Sequence, residues 1–97
     1  MKPIRQGDVI LIPVNQVEGE KLNHLTLAEG EVTGLKHRIS EGEAQLYTND
    51  FQLYLSIFSD KAVLSHEEHD SVRISQGNWI VRIQREYEPE GWRYVAD

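Results

Sequence analysis

The sequence predicts an all-β domain, a small β-barrel or β-sandwich of about eight short strands. Short apolar or alternating runs recur along the chain. Gly, Asn, Asp and Ser separate them, and helix signals are few. The 97 residues suit a single domain spanning 1–97 with one modest core.

Gly7-Asp8 is a turn signal. The run through Val14 after it (Val9, Ile10, Leu11, Ile12) reads as a strand crossing the core, with Pro13 marking an end or an edge. A strand is expected over Leu25–Ala28, although a helical turn between Glu18 and Leu27 is also compatible with the residues. Gly30 to Ser40 follows as a strand interrupted at Gly34, the kind of glycine that marks a bulge or a close backbone approach. Ser40-Glu41-Gly42-Glu43 is a hairpin-like turn, and Ala44–Tyr47 a short strand ended by Thr48-Asn49-Asp50.

Phe51 to Phe58 alternates most clearly, with Phe51, Leu53, Leu55 and Ile57 on one face. Ser59-Asp60-Lys61 reads as a turn before a strand over Ala62–His66. Val72–Ser75, a turn at Gln76-Gly77-Asn78, a long strand over Trp79–Tyr87 and a last strand over Trp92–Val95 complete the expectation. The loop from Glu67 to Ser71 is long enough for one helical turn.

Composition narrows the function. With no cysteine, disulfides, thiolate zinc sites and cysteine nucleophiles are excluded. No apolar run approaches the roughly 20 residues that span a bilayer, and Met1 to Asp8 carries no signal-peptide core, so a cytoplasmic protein without a membrane partner is expected. A net charge of −6 disfavours nucleic acid, which calls for a basic stripe. No Gly-rich phosphate loop and no serine in a nucleophile elbow is present.

Three of the four histidines lie in two carboxylate-rich segments: His37, and His66-Glu67-Glu68-His69. Imidazole and carboxylate serve both as metal ligands and as acid–base groups. Strand alternation puts His37 on the face of Leu35 and Ile39, opposite Lys36 and Arg38, and so toward the core. It puts His66 with Ala62 and Leu64. His69 would face the other way on a continuous strand and meets His66 only across a turn. His37, His66 and His69 would form a three-histidine set for a divalent metal such as zinc, with Glu31 or Glu67 as a further ligand or acceptor. The alternatives are a satisfied core histidine beside a solvated turn, and a metal-free acid–base site. The spacing is not that of the helical zinc proteases.

Arg85 and Tyr87 are in phase with Trp79, Val81 and Ile83 and are expected at the rim of the core. They pair with a carboxylate there or contact a ligand. Trp79, Trp92, Tyr87 and Tyr94 make the C-terminal third aromatic, which suits a core or a binding surface.

Arg5-Gln6-Gly7-Asp8-Val9, Leu27-Ala28-Glu29-Gly30-Glu31-Val32-Thr33-Gly34, His37-Arg38, His66-Glu67-Glu68-His69 and Gln84-Arg85-Glu86-Tyr87 together resemble a group of small bacterial and phage-borne proteins of unassigned function. The resemblance runs along most of the chain. In that group a histidine often follows Thr-Gly, giving His-x-His, whereas Leu35 stands there in this chain. The run from Gly30 through His37 to Glu41 also loosely resembles the first motif of cupins, which implies a small metal-binding β-barrel or jelly roll.

The functional expectation is an accessory or protein-interaction module without catalytic activity of its own, acting through a protein partner or self-association. The alternative is a metal-binding β-barrel protein, a metalloenzyme included, built on His37, His66 and His69.

Overall fold

The structure, a computed structural model, describes residues 1–30 and 33–84. Eight strands form one antiparallel sheet that does not close into a barrel. They are β1 (Ile4–Gln6), β2 (Val9–Val14), β3 (Glu20–Lys21), β4 (Thr26–Glu29), β5 (Lys36–Glu41), β6 (Ala44–Asn49), β7 (Gln52–Ser65) and β8 (Val72–Ile83). The all-β expectation holds. No helix occurs among the described residues, and none is long and apolar enough to cross a membrane.

The two long strands organise the rest. β7 pairs with β8 from Leu53↔Val81 to Leu64↔Val72, with a register shift between Ile57 and Lys61. On its other side, the first half of β7 pairs with β6 and its second half with β5. The sheet therefore has two arms: β1-β2-β8-β7-β6-β3 around the start of β7, and β8-β7-β5-β4 around its end. Leu11, Leu46, Leu55 and Trp79 from the first arm share one core cluster with Leu27, Ile39, Leu64 and Ile74 from the second. Burial of both apolar faces against each other is what folds the sheet over.

Four sequence expectations need correction. Ser59-Asp60-Lys61 is a bulge inside a continuous β7, not a turn, and Gln76-Gly77-Asn78 lies within a continuous β8. A bulge adds twist and bend without ending the ladder, and Gly77 takes a positive φ of 139° inside β8. The strand expected from Gly30 begins at Lys36. Before it, Gly30 N–H donates to Leu35 O and Gly34 N–H to Gly30 O, which ties the end of β4 to the approach to β5. Phe51, expected on the inner face of its strand, is fully exposed at the β6–β7 turn, where Asp50 has a φ of 54°. Pro13 lies where β1, paired only with Val9 to Leu11, no longer covers β2, as its missing N–H requires.

Trp79 is 1 % exposed and its indole N–H donates to Ser75 O, so it belongs to the core and not to a contact surface. The other expected contact residues, Arg85, Tyr87 and Trp92, and the strand over Trp92–Val95 lie outside the described residues, as does Glu31.

Candidate functional site: a histidine and carboxylate cleft

The β1–β2 turn, the β4–β5 hairpin, the β7–β8 loop and the end of β8 meet at one end of the fold. They enclose a cleft of about 740 Å³, whose lining includes Arg5, Asp8, Glu29, His37, His66 and His69.

Its floor is built by a two-residue hairpin. Gly7 has a φ of 59° and Asp8 follows in ordinary backbone, the pattern of a turn that favours Gly at its first central position. This sharp reversal sets Gln6 and Asp8 on either side of one imidazole. His37, only 5 % exposed, has Nδ1 2.9 Å from Gln6 Oε1 and Nε2 3.3 Å from Asp8 Oδ1. Gln6 is itself buried, and its amide nitrogen donates to Leu64 O and Asp70 O, each at 2.9 Å. Both donors of that amide are spent, so its oxygen faces His37 and can only accept. His37 Nδ1 therefore carries a proton, and in the neutral ring Nε2 presents a lone pair to the Asp8 carboxylate.

Burial, then the neighbouring His66, hold His37 below its ordinary 6.5, against the opposing pull of Asp8. The native state thus resists a proton that the unfolded chain accepts as pH falls through 6.5, so stability present above that value is lost on acidification. The metal-free protein is expected to melt at a lower temperature at about pH 5.5 than at about pH 7.5. Thermal scans of wild type and His37→Gln check this, since the variant should flatten the difference.

After Ser65 the chain leaves the strand, and the bend lets His66 and His69 meet. Their ring centroids are 4.6 Å apart; His37 lies 4.2 Å from His66 and 5.8 Å from His69. The loop is pinned at both ends. Gln6 holds Asp70 O, and Lys36 N–H donates to Glu67 Oε1 at 2.9 Å. That backbone hydrogen bond is the main reason the Glu67 carboxyl stays below its usual range. Within the loop, Glu68 N–H donates to His66 Nδ1 at 3.0 Å.

Gly7 also makes room for His69. A Cβ there would stand 2.6 Å from His69 Nε2, in a backbone region that L side chains rarely adopt. Gly7→Ala is expected to cost about 1–2 kcal/mol through the positive φ and to push His69 out of the cleft. Denaturant melts and the imidazole resonances of His69 would register both.

The structure thus gathers His37, His66 and His69, which the sequence singled out, and adds Gln6 and Asp8, which it did not. Leu35 lines the same cleft. Among the described residues, no three His, Asp or Glu side chains already converge as metal ligands. In a neutral His66 ring, whose Nδ1 accepts from Glu68 N–H, the proton lies on Nε2.

Fold and site together define a small all-β domain with a histidine and carboxylate cleft at one end. Residues 5–84 match the family described as a domain of unknown function (DUF8820), and the chain belongs to that family. Searches of curated proteins and of solved structures returned no match.

Proposed function

We propose that this domain binds a divalent transition metal in the cleft, with His37 Nε2 and Asp8 as the nucleus of the site. The observation that carries this reading is the Asp8 carboxylate oxygen 3.3 Å from His37 Nε2, with Gln6 Oε1 2.9 Å from Nδ1 on the far side of the ring, which leaves two lone pairs facing each other when the ring is neutral. Without a cation that arrangement is repulsive. With one it is favourable, because two ligands bonded at 2.0–2.1 Å around a tetrahedral zinc stand about 3.3 Å apart. A ligating imidazole that donates its other nitrogen to a fixed carbonyl is the usual outer support of such sites. His69, whose ring has no hydrogen bond to hold it among the described residues, is the third ligand, reached by a side-chain rotation. Nitrogen and oxygen donors without sulfur suit zinc, iron, cobalt, nickel or manganese more than copper(I). Glu31 lies outside the described residues and takes no part in this reading.

Equilibrium dialysis of chelator-treated protein against Zn²⁺, Co²⁺, Ni²⁺ and Mn²⁺, followed by elemental analysis, tests it. About one metal per chain at micromolar free ion is expected, and none at that concentration overturns the reading.

A second reading, a protein-contact module, is favoured by Phe51, which stands fully exposed over a groove of about 280 Å³. That groove is lined by seven residues among those described, from Leu27 through Phe51 and Leu53 to Ile83. A stable interface takes roughly 20–30 residues a side, so the contact reading ranks second. A concentration series by sedimentation that shows a monomer for both wild type and Phe51→Ser would remove self-association from it.

A further inference from the structure

The two closest imidazoles of the cleft, 4.2 Å apart, are held in opposite tautomers. Gln6 Oε1 fixes the proton of His37 on Nδ1, and the backbone N–H of Glu68, which can only donate, fixes the lone pair of His66 on Nδ1. Neutral His37 therefore offers a lone pair from Nε2, while neutral His66 offers an N–H from Nε2. Side by side in one cleft, the rings are complementary and not equivalent.

We infer that His66 is not a ligand of the proposed metal. It is the hydrogen-bond donor to an oxygen atom that the metal holds, from water or from a small carboxylate or other oxyanion. This rests on the metal reading and assigns His66 a role toward whatever small oxygen ligand the ion would hold. Three features fit it. His66 is half-buried, so its N–H is partly shielded from competing water. A cleft of about 740 Å³ admits a small ligand beside the ion. Turning His66 into a ligand through Nε2 would move its proton to Nδ1 and set that proton against the Glu68 N–H.

Two measurements decide the matter. The first is long-range ¹⁵N–¹H correlation on the metal-free protein, which reads tautomers directly. His37 protonated on Nδ1 and His66 on Nε2 is expected, and the same tautomer in both rings overturns the inference whatever the metal does. The second uses the cobalt(II)-loaded protein titrated with acetate and followed by its visible spectrum. His66→Ala is expected to keep cobalt affinity within about threefold while weakening acetate about tenfold, the worth of one charge-assisted hydrogen bond. His66→Gln, which retains an N–H donor, is expected to recover part of that loss. A loss of cobalt affinity of about a hundredfold in His66→Ala makes His66 a ligand and overturns the inference, as does acetate binding that the variant leaves unchanged. If wild type takes up no cobalt, the functional reading falls and the donor role with it, while the tautomers are still read on their own.

Discussion

Zinc added to the chelator-treated domain is expected to raise its Tm by about 10–20 °C when free zinc is a hundredfold above Kd. That excess stabilises the native state by about 2.7 kcal/mol, and a domain of this size shifts by about 4–8 °C per kcal/mol. His37→Gln and Asp8→Asn should each remove most of the shift, since each deletes one half of the facing pair. The informative variant is Asp8→Asn in the absence of metal. If Asp8 served as the counter-ion of a charged His37, the asparagine would destabilise the fold. Burial instead favours the neutral His37 ring, whose Nε2 lone pair then meets a carboxylate oxygen of Asp8. An asparagine amide can donate to that lone pair, turning a repulsion into a hydrogen bond. Asp8→Asn should therefore leave metal-free stability unchanged or raise it by up to about 1 kcal/mol, while abolishing the response to zinc. Opposite signs in the two conditions are what a site that trades stability for binding produces. A destabilised, zinc-responsive Asp8→Asn would sink the metal reading.

How much of this was legible in the residues follows from how local each cause is. Alternation along a strand is local, so the inward face of His37 could be read from Leu35 and Ile39, and that of His66 from Ala62 and Leu64. The meeting of His66 with His69 needed a bend after Ser65, which the polar run Glu67 to Asp70 permitted without requiring. Gln6 and Asp8 were read only as neighbours of a turn. A signal was there: a glutamine directly before a Gly-Asp turn and a strongly apolar strand needs partners if it is buried. What the chain could not disclose locally is that those partners are carbonyls of Leu64 and Asp70, some sixty residues away. The bulge at Ser59 to Lys61 was mistaken for a turn because the same polar residues serve both. Only pairing of β8 with β7 on each side of the bulge distinguishes them. Leu35, where the resembling group often has a histidine, is one apolar face of the cleft wall.

Gln6 carries the second large effect, because one buried amide serves three partners in three segments. Its oxygen holds His37, and its nitrogen holds the end of β7 through Leu64 O and the β7–β8 loop through Asp70 O. Gln6→Leu keeps the volume roughly and removes every one of these bonds, leaving His37 Nδ1–H and the Leu64 carbonyl buried without partners. Each unsatisfied buried group costs about 1–3 kcal/mol. Asp70 O lies nearer solvent and recovers part of its loss by binding water, so a total of about 2–4 kcal/mol is expected, or a fall in Tm of roughly 10–20 °C. Gln6→Glu separates stability from tautomer control. Its carboxylate can still accept from His37 Nδ1, but it cannot donate to two carbonyl oxygens and repels both. It should therefore unfold nearly as readily as Gln6→Leu while keeping His37 protonated on Nδ1. Zinc affinity then divides the two: a drop of about 10–100-fold is expected in Gln6→Leu, where nothing orients the ring, and a smaller one in Gln6→Glu. Equal affinities in the two variants would mean that Gln6 supports the loop alone and that the orientation of His37 comes from its packing.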